Sequence, residues 1–329
     1  MTKFLVQFIV FTMTITEREI KLVDKMLSGD RIALARLITL VESNYNSIPE
    51  IHKRINPKTG KAYIIGVTGP PGAGKSTLVN ELIQAYKKNN KKVGVIAVDP
   101  SSPFTGGAVL GDRIRMQDHS LDENVFIRSL GSRGSHGGLS KATKEIIKLY
   151  DAFGIENIII ETVGVGQTEL DIIKLADTVL VVLVPEAGDA VQTMKAGLME
   201  IADIFVVNKA DREGAEILSR EIKSIISLKP TEGNWDIPVL LTSSIGKLGI
   251  DELIKDINRH KLFQTQTGLL RKKRQKRIEE EFSQIILEII EKRINEKLKD
   301  HEVGKVLTRI KKGEIDPYEG AELVISRIL

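Results

Sequence analysis

Cysteine is missing from all 329 positions of the chain. This excludes disulfides, thiolate zinc sites, iron–sulfur clusters and cysteine nucleophiles in one step. It also agrees with a reducing, cytoplasmic setting. No apolar run reaches the ~20 residues that a membrane-spanning helix needs. The N-terminal stretch from Phe4 to Phe11 is far shorter, so no membrane association is expected. Charge of one sign is lacking as well: 48 basic residues stand against 44 acidic ones, a formal net charge of +4. A dedicated nucleic-acid binder needs a concentrated positive field, and that class is not expected either. Hydrophobic residues at 42% and charged residues at 28% describe a globular chain, long enough for more than one domain.

The ends of the chain differ in pattern from its middle. Residues 1–15 carry neither a small-residue cleavage site nor an arginine-rich amphipathic pattern. They read as an extension, with Met13 as the expected start. From Thr16 onward, Ile20, Val23 and Leu27 recur at helical spacing, and Ser28-Gly29-Asp30 breaks the run. Ile32, Leu34, Leu37, Ile38 and Val41 form a second stripe, and Asn56-Pro57-Lys58-Thr59-Gly60 reads as a turn. Residues 16–60 are thus an N-terminal helical segment.

Residues 259–329 are helical too. From Arg271 to Arg277 six of seven residues are basic, but Glu279, Glu280 and Glu281 follow at once, the pattern of a solvated helix face. Ile278, Phe282, Ile285, Ile286, Ile289, Ile290, Ile294 and Leu298 fall at steps of three and four. A stripe of that length has to be covered, by its own domain or by a partner chain, and because it lies beyond the last strand a second copy of the chain is the expected cover. The region is read as a dimerisation arm of a homodimer.

Between residues 61 and 258, short β-branched runs alternate with helical stretches. Strands are expected at Ile64–Val67, Val93–Val98, Val125–Arg128, Ile158–Ile160, Thr178–Val184, Ile204–Val207 and Val239–Leu241. Alternation implies parallel pairing, and continuous apolar runs imply burial on both faces. The expected fold is therefore α/β, a doubly wound, mostly parallel sheet flanked by helices from both ends of the chain. Ligands of such sheets bind at the carboxyl ends of the strands.

At that end the first strand runs into Gly69-Pro70-Pro71-Gly72-Ala73-Gly74-Lys75-Ser76-Thr77, followed by the helical Leu78, Val79, Leu82 and Ile83. This is G-x-x-x-x-G-K-[ST] in its strand–loop–helix setting, the phosphate loop of NTPases. Its glycines let backbone amides face the phosphates, and the helix N-terminus adds its positive dipole end. Lys75 is expected at the β- and γ-phosphates, and the Ser76 hydroxyl on Mg2+.

The strand Ile204–Val207 ends in Asn208-Lys209-Ala210-Asp211. An aspartate beside the base accepts hydrogen bonds from guanine N1–H and the 2-amino group. Adenine offers neither donor and would leave that carboxylate unpaired, so GTP and GDP are the expected ligands. Asn208 is expected to brace the loop, the Lys209 stem to cover one face of the base, and Thr242, Ser243 and Ser244 to close over the other. Asp99, Asp112 and Glu161 are candidate carboxylates for the ion, directly or through water. Glu161 is the strongest of them, because an acid ending an Ile-Ile-Ile run has few other reasons to be there. Gly164 can offer its amide to the γ-phosphate, which would make its turn a sensor of hydrolysis.

Taken together these residues resemble the methylmalonyl-CoA mutase-associated GTPase family, also called MeaB/ArgK, in the SIMIBI class of P-loop GTPases. The resemblance rests on Gly69–Thr77, Val98-Asp99-Pro100-Ser101-Ser102, Gly111-Asp112-Arg113-Ile114-Arg115-Met116, Gly131-Ser132-Arg133-Gly134, Glu161-Thr162-Val163-Gly164-Val165-Gly166-Gln167 and Asn208–Asp211. It covers the chain from about residue 17. It implies that Ser76, Asp99, Asp112 and Glu161 form the magnesium shell. It further implies that Glu186 to Gly197 is a third switch, with Asp189, Gln192 and Lys195 as its reactive polar residues. The implied role is that of a homodimeric chaperone for adenosylcobalamin-dependent acyl-CoA mutases. Such proteins use GTP hydrolysis to gate cofactor loading and exclude damaged cofactor.

Hydrolysis also needs a placed water. Ras-like proteins use a glutamine directly after the D-x-x-G glycine, but here Val165 follows Gly164. Gln167, Gln192 and Lys195 are the candidates to replace it, and slow turnover without a partner is expected. None of the five histidines (His52, His119, His136, His260, His301) lies in the Asp-x-His-x-x-Gly signature of cobalamin carriers. The chain is therefore expected to act on the mutase and not to hold cobalamin. Two other readings stand beside this one. A kinase of an amino-acid transport system would favour ATP, against Asp211. A metal-delivering GTPase would carry clusters of cysteine or histidine.

Overall fold

The structure is a computed structural model that describes residues 16–43, 47–99, 122–131, 141–162, 174–185, 197–227, 235–243, 246, 248–297 and 301–328. The chain divides into two compact units, the first reaching Thr267 and the second beginning at Gly268.

In the first unit, three helices precede the sheet: α1 (Glu17–Leu27), α2 (Arg31–Ser43) and α3 (Ile48–Ile55). Local chemistry sets their ends. Thr16 and Glu19 cap each other's backbone groups at the start of α1, and Asp30 Oδ1 accepts from the amides of Ile32 and Ala33 at the start of α2. Their apolar faces, including Val23, Met26, Leu34, Leu37, Ile51 and Ile55, are fully buried.

The sheet follows, with β1 (Tyr63–Thr68), β2 (Val93–Asp99), β3 (Val125–Gly131), β4 (Asn157–Thr162), β5 (Thr178–Leu183), β6 (Ile204–Val207) and β7 (Val239–Leu241). Between the strands lie α4 (Lys75–Lys88), α5 (Lys141–Phe153), the short α6 (Leu198–Ile201) and α7 (Ala215–Ile226); α8 (Ile250–Gln266) comes last. All seven strands expected from the sequence are present, in the order β3-β2-β4-β1-β5-β6-β7, and every pairing is parallel. Every residue of β5 and of β6 is buried, as strands covered on both faces must be.

The N-terminal helices pack on α5 and close the edge of the sheet. Arg128 of β3 pairs with Glu42 of α2 through Nε and one terminal guanidinium nitrogen, one to each carboxylate oxygen. Arg31 donates to the carbonyls of Asp122 and Val125 at 2.7 and 3.2 Å and lies 4.5 Å from the Phe126 ring centroid. Edge carbonyls that would otherwise invite another strand are thereby occupied.

A single carboxylate fixes the entry to β1. Asp151 of α5, 8% exposed, accepts from the amides of Gly60, Lys61 and Ala62, the last at 2.8 Å. In the second unit, α9 (Leu269–Lys297), α10 (His301–Lys311) and α11 (Pro317–Ile328) bury Val303, Val306 and Ile315. On α9, by contrast, Ile278 and Phe282 are 66% and 65% exposed, and Ile289 is 50% exposed. Among the described residues no helix is long and apolar enough to cross a membrane.

Replacing Asp151 by alanine leaves three amides without their acceptor. Charge-assisted bonds of this kind predict a loss of about 2–3 kcal/mol of unfolding free energy in urea titrations.

Candidate active site

Parallel register sets which residues meet at the carboxyl edge. Val67 of β1 pairs with Glu161 of β4, and Thr68 pairs with Val181 of β5. Leu183 pairs with Val207, and Val207 with Leu241. The carboxyl ends of β4, β1, β5, β6 and β7 therefore lie in a row, with β5 between the loops that leave β1 and β6.

The phosphate loop is shaped by two close approaches. Gly69 adopts φ +141°, and a Cβ there would lie 2.0 Å from the Val182 carbonyl oxygen of β5. Gly74 adopts φ +82°, and a Cβ there would lie 2.4 Å from Asn208 Nδ2. Only glycine satisfies both the left-handed backbone and the missing space. Immediately afterwards Lys75 opens α4. It is 6% exposed, and its ammonium donates to the carbonyls of Gly69 and Pro70 at 2.8 and 3.0 Å. The next residue, Ser76, donates its hydroxyl to Glu161 Oε1 at 2.6 Å. Glu161 is itself 5% exposed, so β4 delivers a buried carboxylate to the mouth of the phosphate loop.

The loop after β6 is tied to the same place. Asn208 Nδ2 donates to the Ala73 carbonyl at 2.9 Å, and Asn208 Oδ1 accepts from the Thr242 hydroxyl at 3.1 Å. One buried amide thus joins the loops after β1, β6 and β7. Lys209 follows at φ +57°, a left-handed conformation for a residue with a side chain. That turn brings the Ala210 amide to the Thr242 carbonyl at 2.9 Å.

Asp211 projects into solvent beyond it, where Ser243 donates to its Oδ1 at 2.5 Å. The Ser243 hydroxyl, with the residue's own backbone amide, holds the Asp211 carboxyl below the usual aspartate range. Ser243 in turn exchanges backbone hydrogen bonds with Leu248, both at 3.1 Å, which fixes the strand-end loop as a narrow turn.

The structure brings together Gly69 through Ser76, Glu161, Asn208, Lys209, Asp211, Thr242 and Ser243, with Thr77 in the first turn of α4. Asp99 ends β2, but its side chain lies outside the described residues. So do Asp112, Gly164, Gln167, Gln192, Lys195 and Ser244. Two participants escaped the sequence reading. Thr162 donates its hydroxyl to Thr68 at 3.0 Å, both fully buried, which ties the end of β4 to the residue before the loop. The signal was a threonine closing each of two apolar strands. The other, the Val182 carbonyl against Gly69, has no side-chain signal at all.

Comparison with known proteins gives this edge its context. The model of the methylmalonyl Co-A mutase-associated GTPase MeaB matches residues 34–299. A Pyrococcus abyssi protein that carries the name of a GTPase is 52% identical over 312 residues, covering 94% of this chain and 96% of that one. The GTPase ArgK of Escherichia coli is 38% identical over 259 residues, covering 76% of this chain and 78% of that one. Among solved structures, the crystal structure of an LAO/AO transport system kinase is similar with a TM-score of 0.71 at 28% identity. It covers 96% of this chain and 99% of that one. The motif-bearing loops, the parallel sheet and the relatives agree on a P-loop fold and on GTP hydrolysis. The chain belongs to the methylmalonyl-CoA mutase-associated GTPase family.

Proposed function

We propose that this GTPase binds GTP and GDP together with Mg2+ and serves an adenosylcobalamin-dependent acyl-CoA mutase of the methylmalonyl-CoA type. In this role it gates the loading of the cofactor and excludes damaged cofactor, as a cytoplasmic homodimer. The observation that carries the nucleotide part is the bond from Asn208 to the Ala73 carbonyl, which ties the guanine-recognising loop to the phosphate loop. The family's description supports the mutase part. The exposed stripe of α9, from Ile278 through Ile289, supports the dimer, because apolar residues in such numbers call for a cover.

The residues divide the work. The backbone N–H groups of the loop from Gly69 to Gly74 are the donors for the phosphates in this reading, with Pro70, Pro71 and Thr77 completing the cradle. Lys75, whose ammonium donates to two loop carbonyls, is the cation this reading gives to the β- and γ-phosphate oxygens. Ser76 and Glu161 offer a hydroxyl and a carboxylate side by side, a hard oxygen pair that suits Mg2+. Asp99 and Asp112 are the further members of that shell. When bound, the ion neutralises charge that develops on the phosphates.

At the other end, Asp211 accepts from guanine N1–H and the 2-amine, and Ser243 keeps the carboxylate plane fixed for it. Gly164 senses the γ-phosphate, and Gln167, Gln192 and Lys195 are the candidates to align the attacking water.

Four outcomes test this reading. In competition binding, GTP should outbind ITP, which lacks the 2-amine, and both should outbind ATP. Asp211→Asn should weaken GTP by about 10- to 100-fold, the worth of one or two bonds to a charged acceptor. ATP competing equally with GTP in the wild type would remove the role of Asp211. Glu161→Gln should keep nucleotide binding but raise the Mg2+ concentration for half-maximal turnover by about tenfold; an unchanged requirement excludes Glu161 from the shell. Finally, turnover of the isolated chain should be slow and should rise on addition of a methylmalonyl-CoA mutase. Fast turnover that ignores the mutase would leave a GTPase without this partner.

A further inference from the structure

Opposite the nucleotide edge, the strands begin at a second polar cluster that hydrolysis does not use. β1 separates the two, and its six residues span about 17 Å at the rise of a strand. Thr178, the first residue of β5, is fully buried between two partners. Its Oγ1 lies 2.5 Å from Tyr63 Oη and 2.8 Å from His260 Nδ1. His260, on α8, is 2% exposed, and its Nε2 lies 3.4 Å from Asp203 Oδ1.

The other oxygen of Asp203 accepts from the Val179 amide at 2.9 Å. Trp235, the single tryptophan, packs at a tilt against the imidazole with ring centroids 4.6 Å apart and donates its Nε1–H to the Asp203 carbonyl. Gln264, one turn further along α8, donates to the Asp177 carbonyl at 3.0 Å.

The titratable and charged groups around His260 come from every packed element. Tyr63 belongs to β1 and Tyr86 to α4; Asp177 and Asp203 precede β5 and β6, and Asp236 follows Trp235. On α8 itself, Asp256 pairs with Arg259, whose guanidinium lies 5.1 Å from the Trp235 centroid, and Lys261 lies 4.8 Å from the Tyr63 centroid.

A hydroxyl held between a phenol and an imidazole has two arrangements of its hydrogens, and in the second the phenol hydrogen turns away from Thr178. With a neutral ring, Tyr63 donates to Thr178, Thr178 donates to Nδ1, and Nε2–H faces Asp203. With an imidazolium, Nδ1–H donates to Thr178 Oγ1, the Thr178 hydrogen turns to Tyr63 Oη, and Nε2–H keeps Asp203. Burial drives the Tyr63 phenol well above its ordinary value, so the phenol keeps its proton in both states. The exchange needs one proton from solvent and two rotating hydroxyls, and no covalent bond changes.

We propose that the Tyr63–Thr178–His260–Asp203 chain is a proton-responsive latch fastening α8 to the start of β5 and β6, with Trp235 as its reporter. Imidazole is the one side chain whose ordinary titration falls in the neutral-to-acid range, and here it is clamped from both ring nitrogens. An imidazolium in contact with indole also quenches its emission. The proposal is independent of the nucleotide and mutase readings.

The test is tryptophan emission of the full chain from pH 8.5 to 5.0, with far-UV circular dichroism followed in parallel. Emission should fall in a single one-proton transition while the dichroism stays constant. The transition should vanish in His260→Gln. In Asp203→Asn its midpoint should move down by about one pH unit, because the carboxylate that favours the imidazolium is gone while the amide oxygen can still accept from Val179.

Constant emission in the wild type overturns the latch. So does a transition that survives in His260→Gln, or one that coincides with loss of helix. Should His260→Gln fail to fold, the Asp203→Asn midpoint decides alone: an unmoved midpoint overturns the proposal.

Discussion

The register of β1 against β4 and β5 is the constraint on which the rest of the molecule depends. Pairing Val67 with Glu161 stops β4 level with the phosphate loop, and pairing Thr68 with Val181 puts the Val182 carbonyl against Gly69. A slip of one residue would turn Glu161 to the other face of the sheet and separate it from Ser76. The register is strongly specified because both faces of these strands are buried, so every slipped alignment exposes or crowds apolar side chains. A catalytic edge thus inherits its precision from the packing of valines and isoleucines below it.

Given that edge, a few buried polar groups do the joining. Asn208 is 2% exposed and spans three loops, from Ala73 to Thr242. Lys75 and Glu161 are buried charges of opposite sign on adjacent elements; Lys75 donates to two loop carbonyls, and Glu161 accepts from the Ser76 hydroxyl through Oε1. Arranging them before ligand arrives costs folding energy but lowers the reorganisation that binding and hydrolysis require. Asp211 differs from them. It stays exposed, and Ser243 supplies the restraint that burial supplies elsewhere.

The other end of the sheet has a different character. There Tyr63, Thr178 and His260 are buried, Asp203 is partly buried, Trp235 packs at a tilt against the imidazole, and the group holds α8. Polar chemistry at the two ends of the same strands therefore differs in character. At the carboxyl end Asp211 stays exposed, and at the amino end most of the polar groups are buried. In the second unit the longest helix exposes the described apolar side chains from Ile278 to Ile290.

The motifs of the strand ends were legible in the sequence because they are local: Gly69–Ser76 and Asn208–Asp211 need only their own residues and a preceding strand. The seven strands were legible for a related reason, since runs such as Ile158–Ile160 and Thr178–Leu183 are too apolar and β-branched to lie elsewhere. Glu161 could be suspected, because a charge ending such a run demands an explanation. What the sequence by itself determined, then, was the α/β class, the phosphate loop and the guanine preference.

Only the tertiary structure decided that β4 lies between β2 and β1, that Thr162 meets Thr68, and that Val182 fixes Gly69. It also decided that His260, unremarkable in sequence, is clamped between Thr178 and Asp203. These are contacts between residues tens of positions apart. Spacing along the chain carries no record of them, and the order of strands in a sheet is set by long-range packing.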